Sequence, residues 1–269
     1  MPDATNTHAH RRFHGAAVVR AAFVLAILGW GVGFYGPAIF MQAVVARTGW
    51  TVPLVSGAVT LHFLLGAVVV VQLPRMHHHW GVPITTTLGA SSLALGVIGW
   101  AFARTPSALF LAAAFSGAGW VCMGAAAINA MISPWFVRTR TRALATAYNG
   151  ASMGGVIFSP LWSIAISTWG FRVAAVLVGA IMLPVVAWLS MRVLAPSPAS
   201  LGQHPDGDRL QDAAHSVSSA RTQPAAGKAL WRNRQFLTLA AGMALGLFAQ
   251  IGLLAHLYTL LVPSLGGSV

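Results

Sequence analysis

The side chains able to do chemistry inside the apolar stretches of this 269-residue chain are few and carry no fixed charge. They are Tyr35, His62, Trp120, Gln250 and His256. Intramembrane histidine is costly to bury and marks a binding or proton-handling site by default, since its charge changes near neutral pH. The same ring can also do no more than hydrogen-bond a neighbouring helix, and both readings stand for His62 and His256. Trp120 lies near the middle of its apolar run, away from the interfacial belt where tryptophan gathers. Tyr35, with Trp30, sits in GWGVGFYGP, where Gly29, Gly33, Gly36 and Pro37 soften the helix into either a packing seam or a kinked cavity wall.

What is missing excludes several chemistries. The four acids are Asp3, Asp206, Asp208 and Asp212, all outside the apolar runs. No HExxH, no carboxylate pair and no nucleophile with an adjacent base is present, so no enzyme is expected. His77, His78 and His79 stand together without a nearby carboxylate or cysteine, and Cys122 is the single cysteine, so neither a metal site nor a disulfide is expected. No cofactor is implied. A retinal protein needs a lysine in a span, and the only lysine, Lys228, falls outside every apolar run.

These residues need elements to hold them, and the composition says which. The chain is 57% hydrophobic and 7% charged, where soluble domains carry roughly 25% charged residues. Runs of about 18 or more apolar residues can cross a bilayer. Seven qualify, over about 21–46, 53–73, 84–103, 107–131, 143–167, 173–194 and 235–261. With the N-terminus in the cytosol, 13 of the 16 arginines and lysines lie on the cytosolic side; Arg47, Arg104 and Arg172 lie on the other. The net charge of +12 is thus a topology signal, and nucleic acid is not expected as a partner. Residues 1–20 read as a cytosolic tail, 21–194 as a six-helix bundle, 195–234 as a flexible cytosolic connector rich in Pro, Ser, Ala and Asp, and 235–269 as a seventh helix with a short outer tail.

Ser133 to Pro160 carries the most specific pattern. Arg138, Arg140 and Arg142 form a basic collar. Gly150, Gly154 and Gly155 follow with Pro160 beyond, and glycines four apart let a second helix approach at backbone distance. WFVRTRTRALA leading into NGxSxGGxxFxPL resembles the fourth loop and fifth span of major facilitator superfamily transporters, nearest the oxalate/formate-antiporter and monocarboxylate-transporter-like branch. The loop RMHHHWG departs from that family. It keeps Gly81 and a basic character, and His78 falls near the expected acid, so the usual gating ion pair is not expected.

The resemblance implies an all-α membrane protein of seven transmembrane helices, a six-helix bundle plus one helix of a second bundle. It implies alternating access in the cell's inner membrane, with the lipid bilayer and a small organic anion such as a monocarboxylate as partners and room for a coupling proton. In that branch the cations that bind the anion belong to the second half. Five further spans are expected beyond Val269, so the chain reads as an incomplete copy. It is either a truncated product or a half that needs a partner, and is not expected to transport alone. The alternative is a seven-span membrane protein that does not transport.

Overall fold

The computed structural model describes residues 13–207 and 232–264, with side chains in the last helix as far as Leu253. Five helices are long and apolar enough to cross a membrane: Gly15–Thr48, Val52–Phe102, Pro106–Ile132, Arg140–Arg192 and one beginning at Arg234. Two of them, with 51 and 53 residues, would be nearly 80 Å long at about 1.5 Å per residue, against a hydrocarbon core of about 30 Å. Each is bent once, at a glycine. Gly81 has φ 78° and ψ 161°, and Gly170 has φ 77° and ψ 157°. That region is open essentially to glycine alone. Each long helix is therefore two spans, which makes seven among the described residues: 15–48, 52–80, 82–102, 106–132, 140–169, 171–192 and 234–264, called spans 1 to 7 below.

The sequence leads to the same seven spans, but with polar breaks at Pro74–Pro83 and Trp169–Arg172. The helix instead runs on through Pro74 and His77–Trp80 and turns at one residue. Tertiary packing supplies what the local sequence would refuse, and each reversal needs only one backbone unit outside the helical region.

Spans 1 to 6 form one bundle with a continuous core. Its largest fully buried side chains include Trp100, Trp162, Phe40 and Leu25. The two halves of the bundle repeat. A helix broken near its middle (spans 1 and 4) is followed by a long helix bent at glycine (spans 2–3 and 5–6). The two glycine turns lie at opposite ends of the bundle, because Gly81 neighbours Trp135 and Pro196, whereas next to Gly170, Arg172 stacks on Phe102. The two three-span repeats therefore run in opposite directions through the bundle. The end holding Arg138, Arg140, Arg142 and Arg192 is called the basic end. At the other end Arg47 donates to the carbonyls of Ala103 (3.0 Å) and Trp100 (3.3 Å). Span 7 touches the latter part of span 1, and its described side chains are exposed apart from a half-buried Ile251.

Candidate functional site

The site begins with a defect in span 1. Gly29–Phe34 widens into a π-helical turn, closed by the Tyr35 N–H on the Trp30 carbonyl at 2.9 Å. Such bulges inside α-helices cluster at functional sites. GWGVGF permits it because three of its six residues have no side chain. Span 4 breaks at a matching level. Val121–Met123 is a tight 3-10 turn, Gly124 is extended with ψ −171°, and the helix restarts at Ala125. The two breaks face each other. A Cβ on Gly29 would sit 3.1 Å from that of Met123, and Gly33 packs against Trp120.

Broken helices leave carbonyls without intrahelical partners, and in a membrane side chains must satisfy them. Two buried side chains here do that: Trp162 Nε1–H donates to Gly31 O (3.3 Å) and His62 Nε2–H to Gly33 O (2.9 Å). The half-buried Tyr148 hydroxyl donates to Ala125 O (3.0 Å) where span 4 restarts. His62 is fully buried, and its Nδ1 lies 2.8 Å from Ser116 Oγ, which also accepts the Trp100 indole N–H at 3.1 Å. A carbonyl can only accept, so Nε2 carries the hydrogen. The single Ser116 hydroxyl hydrogen has two acceptors in reach, His62 Nδ1 and the Ala113 carbonyl at 3.1 Å, so Trp100, Ser116, His62 and Gly33 form one connected hydrogen-bond network. His62 thus sits inside the bundle as a cross-link among spans 1, 2 and 4, not on the wall of an open cavity.

Trp120 differs. Its ring stacks on His62 (13°, 6.4 Å) and meets the Trp30 and Phe63 rings edge-on at 6.1 and 6.2 Å, with Phe34 at 6.1 Å. Its Nε1–H is buried and has no acceptor among the described residues. Gly66 leaves room beside it, since a Cβ there would lie 2.8 Å from Nε1. A buried indole N–H without a partner costs free energy of about 1–3 kcal/mol, which a carboxylate or carbonyl oxygen would recover.

The remaining predicted residues are spread along the bundle. Tyr35 flanks the break, stacked edge-on with Phe34 (5.1 Å) and against Gly155. Gly150 and Gly154 face span 1 at backbone distance; a Cβ on Gly154 would meet Ile27 O at 2.6 Å. Gly36 and Pro37 open the helix after the bulge, and Pro160 lies inside span 5. Arg140 is tied to the Asn129 side chain at 2.7 Å. Gln250 is exposed on span 7. The side chain of His256 lies outside the described residues. Among the described residues no group of three histidine, cysteine or acidic side chains could hold a metal ion. Ser116, Trp100 and Trp162 are members of the site that the sequence does not single out. Their partners lie 54, 16 and 131 residues away in the chain, and no local spacing announces them.

The profile of the Major Facilitator Superfamily matches residues 21–269. Over 169 residues the chain is 30% identical to monocarboxylate transporter 11 of Mus musculus, a stretch covering 62% of this chain and 34% of that protein. The chain thus spans about a third of the length of the curated relative it matches.

Proposed function

Because the chain belongs to the major facilitator superfamily, we propose that it serves in secondary transport of small organic anions, monocarboxylates first, by alternating access. The substrate would meet the bundle where spans 1 and 4 are broken. One observation carries this reading: the Trp120 indole N–H is a buried donor without an acceptor among the described residues, beside Gly66 of span 2 and one turn ahead of the break in span 4, while the base of the same side chain packs on Gly33 in the broken part of span 1. Discontinuous helices near mid-membrane are where carriers of this kind build their sites.

The chemistry on offer is limited. Trp120 supplies one hydrogen bond, and the edges of Trp30, Phe34 and Phe63 supply the positive rim of aromatic rings. Among the described residues no cation stands in the cluster, so this bundle orients a carboxylate and leaves its charge to groups that face it. That sharing fits a carrier, which must bind weakly enough to release. A proton could accompany the anion, though His62, with both nitrogens engaged, is a poor carrier of it in this conformation. The excess of arginine at the basic end supports a cytosolic position for that end, with the protein in the cell's inner membrane. The reading makes the chain a carrier rather than an enzyme.

The test is uptake of radiolabelled lactate, formate and oxalate by cells expressing the protein from its own gene. The expected result is saturable uptake, competed by other small carboxylates and not by neutral sugars. Uptake equal to that of cells lacking the gene, or competition by sugars alone, refutes the substrate class.

A further inference from the structure

The connector after span 6 starts as folded chain, not as the free tether expected over 195–234. Leu194 is buried, and 194–198 line a groove whose other walls are Gly81–Pro83 and residues of 130–135. Two short 3-10 turns follow, Ala199–Leu201 and Pro205–Gly207. His14 at the start of span 1 donates its N–H to Gln203 Oε1 (2.9 Å), and its ring Nε2 lies 2.9 Å from Val193 O. The rings of Phe13 and Trp135 close over the same place at 6.1 Å.

Asp206 anchors this strap. Its backbone takes φ 59°, the left-handed region that aspartate tolerates better than most residues. Its N–H donates to Trp135 O at 2.9 Å. Its carboxylate accepts the N–H groups of Val137 (3.0 Å), Arg138 (2.8 Å) and Thr139 (3.1 Å), and the Thr139 hydroxyl. Three consecutive N–H groups aimed at one point form an anion-binding nest, here just ahead of the helix that opens at Arg140. Charged acceptors make the stronger hydrogen bonds. The loop from 137 to 139 has no helix or strand to pair its donors, and an anion supplied from the connector pairs all three.

We infer that Asp206 is a positioning residue. As a tethered anion it pins the loop carrying Arg138, Arg140 and Arg142, and the strap from 193 to 207 binds the ends of spans 1, 4, 5 and 6 into one rigid basic end. If the bundle moves against another during transport, it then moves as a unit. The inference concerns the order of this end and holds whatever the substrate is.

Amide hydrogen exchange on the full chain in lipid nanodiscs tests it, comparing wild type with Asp206→Ala and Asp206→Asn. In Asp206→Ala, exchange at Val137, Arg138 and Thr139 should quicken about tenfold or more, as expected for losing hydrogen bonds to a charged group. Asp206→Asn keeps one oxygen acceptor and the side-chain shape, and should fall between. Amides of 150–158 in span 5 should be unchanged in both. Unaltered exchange at 137–139 in Asp206→Ala overturns the inference. So does faster exchange throughout the bundle in both variants, which would make Asp206 a general fold residue and not a local pin.

Discussion

Gly154→Ala puts the seam between spans 1 and 5 under the smallest possible load. The added Cβ would lie 2.6 Å from the Ile27 carbonyl oxygen and 3.0 Å from the Gly31 nitrogen. Both are backbone atoms, so neither can swing aside, and one helix must move away from the other. Overpacking of this kind costs about 1–3 kcal/mol. Alanine recovers up to about 1 kcal/mol through its better helix propensity. A net loss of about 1–2 kcal/mol follows, or about 2–8 °C in melting temperature for a bundle of this size. Gly154→Leu should exceed it, because three further carbons enter the same gap. Gly242→Ala in span 7 is the internal control: nothing lies within 4 Å of a Cβ there, so it should melt at or slightly above the wild type. The assay is thermal unfolding of purified protein in one detergent, followed by tryptophan fluorescence. Equal melting of Gly154→Ala and wild type would refute the close approach, and so would a loss in Gly242→Ala as large as that in Gly154→Ala.

Three other outcomes follow from the same geometry. Ser116→Ala leaves the Trp100 indole and His62 Nδ1 without their shared partner and should cost about 2–4 kcal/mol in the same unfolding assay; a loss under 1 kcal/mol would mean that water replaces the hydroxyl. Burial pushes the Asp206 carboxyl up, but its hydrogen bonds to Thr139, Arg138 and Val137 outweigh this and hold it below its ordinary value of 3.8. A depressed carboxyl contributes stability that is present above its unfolded value and lost as pH falls through the folded one. Protection of the 137–139 amides, corrected for intrinsic exchange, should therefore be flat from pH 8 to 5 and collapse only below the ordinary carboxyl range; a midpoint near pH 6 would contradict it. Cysteines at Ser200 and Ser107 of a Cys122→Ala protein should label from opposite sides of the membrane, Ser200 from the cytosol, and labelling of both from one side would sink the topology.

Much of the fold is legible in the sequence because membrane helices are written in long apolar runs and in where arginine gathers. Gly150 and Gly154 announce a close approach by spacing alone, and the structure supplies the partner atoms on Phe23 and Ile27. GWGVGFYGP announces a softened helix, but not that the softening takes the form of a π-helical turn facing a second break at Gly124. Whether His62 lines a cavity or cross-links helices depends on Ser116 and Gly33 arriving from other spans, which no periodicity of span 2 encodes. The connector shows the opposite failure. Its Pro, Ser and Asp content signals a chain without a core of its own, and residues 208–231 lie outside those described. Yet one aspartate at a turn is enough to dock its first part on a loop 67 residues away at Thr139.

The account turns on Trp120 as a free donor to the substrate, and Trp120→Phe reads that directly. The substitution keeps a ring against Trp30, Phe34 and Phe63 and removes only the indole N–H. Losing a hydrogen bond to a carboxylate is worth about 1.5–3 kcal/mol, so KM for lactate or formate uptake should rise about tenfold to a hundredfold with the amount of protein in the membrane unchanged. A KM equal to wild type at equal expression would show that Trp120 is packing and that the substrate binds elsewhere.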